Sequence, residues 1–120
     1  MLLSINRLKQ DRDFKRIFKF GQSFYSRNLQ LKLAKKAVGD SKFGFVIGLT
    51  VSKKAIVRNR LKRQVREAVR LMYKSGLIKP NFDVVIKIKS SLIGADYKDI
   101  KAEVEYLLGK SGILNEPSSS

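Results

Sequence analysis

The sequence predicts an α+β fold, a two-layer sandwich in which one sheet carries three helices; three strands are clear from the patterning, and a candidate fourth at 23–26 makes the order α-β-β-β-α-β-α. Two features of the patterning predict it. Apolar residues alternate with a period of two in some stretches and recur at i, i+3, i+4 in others, and helical and extended segments follow one another without a linker or an internal repeat. The length sets the scale: 120 residues suffice for one core and are too few for two ordinary ones. A hydrophobic fraction of 43%, with seven Phe and four Tyr, is enough apolar surface to offset the entropy lost on folding.

The first helix is expected over 11–20. Asp11 stands at its start as a cap, Phe14, Ile17 and Phe18 share one face, and Gly21 lies where a C-terminal cap belongs. Leu29, Leu31 and Leu33 alternate with Gln30 and Lys32, which reads as a strand, and Gly39-Asp40 marks the turn after it. A second strand is expected from Phe43 to Val51. One of its faces is bulky (Phe43, Phe45, Ile47, Leu49, Val51) and the other mostly small (Gly44, Val46, Gly48, Thr50), leaving room for something to approach.

The period then turns helical from Ala55 to Tyr73, with Val57, Leu61, Val65, Ala68, Val69 and Met72 in one stripe, ended by Ser75-Gly76 and Pro80. Another strand follows from Asp83 to Ser90. Tyr97, Ile100, Val104, Leu107 and Leu108 define the last helix, and residues 23–26 are the candidate for a fourth strand. Residues 1–112 are read as the single domain and 113–120 as a flexible tail.

Lys and Arg number 26 against 10 acids, a formal charge of +16, so a folded surface built from this chain repels itself at low salt and calls for a polyanion. Nucleic acid is favoured over membrane because no run of about 18 apolar residues exists and the first residues carry charge too early for a signal peptide. The chain holds no Cys, which removes disulfides and thiolate metal sites and fits a reducing compartment, so a cytoplasmic location is expected.

The charge is concentrated: eight of the eighteen residues from Lys53 to Arg70 are basic and one, Glu67, is acidic. At about 100° per residue the apolar stripe takes one side of this helix, and Arg58, Lys62, Arg63, Arg66 and Arg70 project from the other around Asn59. An ordinary charge run is a solvated outer face. Here i, i+4 pairs such as Arg58 with Lys62 repel one another and weaken the helix, a cost that a phosphate backbone explains.

The run Arg58-Asn59-Arg60, followed by Lys62, Arg63 and Arg66 and preceded by "GLTVSKK" from Gly48 to Lys54, resembles the signature of the bacterial ribonuclease P protein subunit. "NRLKQDRDFKRIFKFGQS" upstream and the "DVVIKIK" strand downstream are similar to the same family, so the resemblance spans roughly 5–110. One departure concerns the connection from Lys54 to Arg58, which has only Ala55, Ile56 and Val57 where many members have a few more residues.

The resemblance implies a four-stranded sheet with a left-handed crossover around the basic helix, opposite to the general preference, a fold shared with the second domain of a small-subunit ribosomal protein. It implies an RNA-binding domain that is one part of an endoribonuclease and helps remove the 5′ leader of precursor tRNA. Lys53, Lys54, Arg58, Asn59, Arg60, Lys62, Arg63 and Arg66 are then expected to bind the catalytic RNA. Phe14, Phe18, Lys15 and Arg66 are expected to hold the leader in a cleft floored by the small face of the Phe43 strand, with one protein per RNA. On spacing alone Phe14 and Phe18 read equally well as core. As a stacking platform they suit unpaired bases of any sequence, with Ile17 turned to the core.

The absence of His removes the commonest general acid-base group, and the best carboxylate set, Asp96, Asp99 and Glu103, sits at a helix start where acids usually serve as caps. This agrees with what the resemblance implies, that catalysis resides in the RNA, with Mg2+ bound mainly there. A structural or ribosomal RNA-binding protein is the alternative. It shares the charge argument but leaves the joint presence of the basic motif and the paired Phe helix unexplained. A helix-in-groove DNA-binding protein is disfavoured because no second helix closely precedes the basic one.

Overall fold

A computed structural model describes residue 8 and residues 11–36, 38–48 and 51–114. Helix α1 (Asp11–Phe20) is followed by strands β1 (Gln22–Tyr25), β2 (Leu29–Lys35) and β3 (Lys42–Ile47), then α2 (Ala55–Lys74), β4 (Phe82–Ile88), a short 3-10 turn (Ser90–Leu92) and α3 (Tyr97–Ser111). The four strands form one sheet in the order β1-β2-β4-β3. The β1/β2 and β2/β4 pairs are antiparallel. β3 and β4 run parallel, so the chain between them must cross over, and α2 makes the crossing.

The period-two pattern assigns the two faces of the sheet. Leu29, Leu31, Leu33, Phe43, Phe45, Val84, Ile86 and Ile88 point to one side, where α2 contributes Leu61, Val65, Ala68, Val69 and Met72 and α3 contributes Ile100, Val104, Leu107 and Leu108. Each aliphatic side chain removed from water here stabilises the fold by about 1.5–3 kcal/mol relative to its exposed state. The other face carries a smaller cluster, in which Ile17 of α1 and Leu8 meet Ala34 and Val85, with Phe14 and Val46 packed against them. Val85, which alternation alone puts on the outer face with Lys87, is buried because α1 lies over it.

Polar contacts fix what the thin second cluster cannot. Asp83 at the start of β4 is 5% exposed, and its carboxylate accepts hydrogen bonds from Arg16 of α1 and, at 2.9 Å, from Lys36 just after β2. On the other side of the molecule Glu103 of α3 accepts from the Asn28 backbone N–H and side-chain amide, both at 2.7 Å, and from the Ser26 hydroxyl, so the β1–β2 turn is tied to α3. Asp96 caps α3, its Oδ1 accepting from the Asp99 N–H at 3.1 Å. Two of the three carboxylates considered for catalysis are thus engaged in structural bonds.

Three expectations are corrected. The Phe43 strand ends at Ile47, and Val51 donates to the Gly48 carbonyl in a turn, while Leu49 and Thr50 lie outside the described residues. The fourth strand is one residue earlier than expected, at Gln22–Tyr25. The body of the fold also extends past residue 112: Ile113 is fully buried, Lys79 donates to its carbonyl at 2.8 Å, and Leu114 bridges to Ile78, whereas residues 115–120 lie outside the described residues. The backbone polar groups of 78–79 find their partners there, which apolar spacing does not signal.

Replacing Asp83 leaves Arg16 and Lys36 without their shared anion, and both cations retain access to water, which keeps the cost below that of a fully buried broken pair. Urea denaturation of Asp83→Ala should show a loss of about 2 kcal/mol. A stability equal to that of the parent chain would contradict the assignment of this triad as the tie between α1 and the sheet.

Candidate nucleic-acid interface

Because β3 is an edge strand, α2 from one face and α1 from the other approach each other around it. Where they meet, Leu8, Phe14 and Gly44 line one side of a cleft of about 160 Å3, and Phe45, Lys62 and Arg66 the other. The Arg66 guanidinium lies 5.9 Å from the Phe45 ring centroid, within range of a cation–π contact. Of the residues singled out in the sequence, the cleft brings together Phe14, Lys62 and Arg66, while Phe18, Lys15 and the rest of the basic set lie outside its lining.

Gly44 explains how Phe14 reaches this position. A Cβ built on Gly44 would fall 2.5 and 2.6 Å from two atoms of the Phe14 ring, so the missing side chain is the seat of that ring. The small face of β3 was expected to leave room for RNA. At Gly44 the space is filled by Phe14 itself, and Phe14 is a half-buried wall of the cleft. Ile17 is fully buried, as the helical spacing implied. Phe18 is 41% exposed, and the Lys32 ammonium sits 5.6 Å from its ring centroid while donating to the Phe18 carbonyl at 2.9 Å. Of the two rings, Phe18 is the one that offers a face to solvent. Lys15 is exposed on the same helix.

The basic helix begins directly after the Lys pair. Lys54 is its N-cap residue, without a side-chain capping bond, and its N–H donates to the Ser52 hydroxyl at 3.1 Å. Lys53, Lys54, Asn59, Arg60 and Arg63 are exposed, while Arg58, Lys62 and Arg66 are partly buried. Arg58 turns back and donates to the Ser52 carbonyl at 2.8 Å, so it braces the loop ahead of the helix as well as adding charge. The three-residue connection from Lys54 makes that contact possible, since it puts Arg58 on the first turn.

The basic face is shorter than the spacing implied. Arg70 forms a two-point pair with Glu67, and this hydrogen bonding holds the Glu67 carboxyl below its ordinary range and the Arg70 guanidinium above its own. The i, i+3 spacing of Glu67 and Arg70 carried that information. In the first half of α2 the exposed basic side chains are Arg60 and Arg63.

Sequence reasoning missed a second group of rings with ammonium partners. Lys89 lies 5.7 Å from the Tyr25 ring centroid, Lys110 lies 5.8 Å from that of Tyr106, and Lys19 lies 5.2 Å from that of Phe20. Lys19 and Phe20 are adjacent and Tyr106 and Lys110 stand at i, i+4 on α3, so spacing could have found both, whereas the Lys89–Tyr25 pair depends on the fold. No described helix is long and apolar enough to cross a membrane.

The sequence and the fold are both similar to those of known proteins. The family model for Ribonuclease P matches residues 2–112. The ribonuclease P protein component of Synechocystis is 38% identical over 114 residues, covering 94% of this chain and 90% of the relative. That of Clostridium botulinum is 31% identical over 110 residues, covering 92% and 97%. Among solved structures, the RNase P protein from Thermotoga maritima superposes with a TM-score of 0.76 at 31% identity, over 87% of this chain and 96% of that one. The Staphylococcus aureus RNase P protein gives a TM-score of 0.81 at 22% identity, over 92% and 98%, which speaks for the fold alone. The match over nearly the whole domain, at these identities, places the chain in the ribonuclease P protein family, as a protein component of that tRNA-processing ribonucleoprotein.

Proposed function

We propose that this chain grips the catalytic RNA of ribonuclease P with the first half of α2 and its approach, and holds the 5′ leader of precursor tRNA along α1. Lys53, Lys54, Arg60, Lys62 and Arg63 supply phosphate contacts, and Asn59 adds a group that both donates and accepts. Arg58 contributes charge while bracing Ser52. Arg66 and Lys62 border the cleft with Phe14, so an RNA strand leaving the α2 surface meets the aromatic helix directly. The observation that supports this reading is that cleft, which sets Lys62 and Arg66 of the basic helix against Phe14 of α1.

Within this reading the chemistry belongs to the RNA subunit and its Mg2+ ions. Four of the ten acids are otherwise employed: Asp83 neutralises two cations, Glu103 clamps a turn, Asp96 caps a helix and Glu67 pairs with Arg70. These donor sets do not suit a catalytic metal. The protein contributes binding energy, most usefully where it contacts the substrate's leader and spares the RNA that task. One protein for each RNA is the stoichiometry this division of labour requires.

Two outcomes are expected. Arg60→Ala should weaken binding to the RNA subunit by about 1–3 kcal/mol with an unchanged melting temperature, because Arg60 is exposed and makes no bond to the fold that it would lose. Arg58→Ala should weaken binding and also lower the melting temperature, since the Ser52 carbonyl loses its donor. Filter binding and thermal melts on the two variants check this, and identical behaviour of both would contradict the distinction.

The second outcome concerns substrate. In the reconstituted holoenzyme, Phe18→Ala should cost about 1–3 kcal/mol in affinity for precursor tRNA and leave affinity for leaderless tRNA unchanged. Equal losses on both RNAs would count against a leader-binding role.

A further inference from the structure

The cleft at Phe14 and the exposed ring of Phe18 do not use all that α1 exposes. Phe20 lies two residues further on and therefore about 200° around the helix from Phe18. It is 73% exposed, the most exposed of the ring-bearing side chains here, and the Lys19 ammonium lies over its ring. Beside it opens a second cleft, of about 420 Å3, bordered by Arg16, Gln22, Lys35 and Phe82 and backed by β2.

The register shows why the cleft exists. The β1 ladder stops with Gln22 opposite Leu33, so among the described residues no strand pairs with β2 at Ala34 and Lys35 on that side. The backbone edge there is free for another flat, hydrogen-bonding group. An exposed ring, an open strand edge and an uncommitted ammonium on Lys35 are what a nucleotide requires: a face for the base, donors and acceptors for its edge, and charge for its phosphate. Arg16 is committed to Asp83, which leaves Lys19 and Lys35 as the cations for an incoming anion. The volume falls in the range of small-ligand sites and is too small for a duplex.

Resting on the leader reading above, we propose that this cleft takes one further unpaired nucleotide of the same 5′ leader, its base stacked on Phe20 and its phosphate met by Lys35 and Lys19. Two placements favour the leader over the RNA subunit. Phe20 is about 3 Å further along the helix axis than Phe18 and is the last residue of α1, so a strand that passes Phe18 reaches the opposite flank by rounding the end of the helix. The cleft also opens at the β1–β2 side of the sheet, whereas the basic half of α2 lines the β3 edge at the opposite end of the strand order.

The test measures holoenzyme affinity for precursor tRNAs whose leaders lengthen one nucleotide at a time, with the parent chain, Phe18→Ala, Phe20→Ala and Phe20→Tyr. Phe20→Ala should lose about tenfold in affinity, and only for leaders longer than those at which Phe18→Ala first shows its effect. Phe20→Tyr, which keeps the ring, should behave as the parent. Three results would overturn the proposal: no loss at any length, a loss already present with leaderless tRNA, or weakened binding to the RNA subunit alone. If Phe18→Ala is insensitive to leader length, the leader reading itself falls. A length-dependent loss in Phe20→Ala would then still support the second cleft, and its absence would overturn both.

Discussion

Helix α1 has little apolar surface with which to hold the sheet, and the candidate interface depends on how it is held. The cluster beneath it consists of Ile17, Leu8, Ala34 and Val85, too few side chains to fix the helix by burial alone. Two local devices complete the seat. Gly44 omits a side chain so that the Phe14 ring can lie against β3, and Asp83 draws Arg16 down onto β4 through a buried carboxylate shared with Lys36. With α1 fixed at these points, Phe14 walls the cleft shared with Lys62 and Arg66, Phe18 is left exposed beside Lys32, and Phe20 stands on the opposite flank.

The same arrangement accounts for the distribution of charge. A chain with a formal charge of +16 has few acids to spend, and the structure places them where burial or a turn needs them. Asp83 and Glu103 sit at joints between elements, and Glu67 relieves the end of the basic helix at Arg70. Arg60 and Arg63 in the first half of α2, with Lys53 and Lys54 ahead of it, are left exposed, where like charges repel one another until a polyanion arrives. Such a surface binds with strong salt dependence because each phosphate contact releases counterions.

Much of this was legible in the sequence. All three helices and their buried stripes follow from spacing, since Leu61, Val65, Val69 and Met72, or Ile100, Val104 and Leu107, recur as a buried face must. The motif around Arg58, Asn59 and Arg60 pointed to the family before the fold was known. Other features were hidden because they depend on partners distant in sequence. Alternation puts Val85 outside, and only the position of α1 buries it. The small side chains of β3 suggested space, but the occupant of that space at Gly44 is a ring from thirty residues upstream. Ile113 and Leu114 look like the start of a tail, and it is the backbone of 78–79, across the fold, that takes them in.

The central claim is that the seat of Phe14 on Gly44 sets the RNA surface of α1. Its most direct test is the leader-dependent part of holoenzyme affinity in Gly44→Ala, where the added methyl group enters the space of the Phe14 ring. The account predicts that the difference in affinity between leader-bearing and leaderless tRNA shrinks severalfold, while a folded variant still binds the RNA subunit as the parent does. A Gly44→Ala protein with a displaced Phe14 ring, seen by its aromatic NMR shifts, and an undiminished preference for the leader would contradict it.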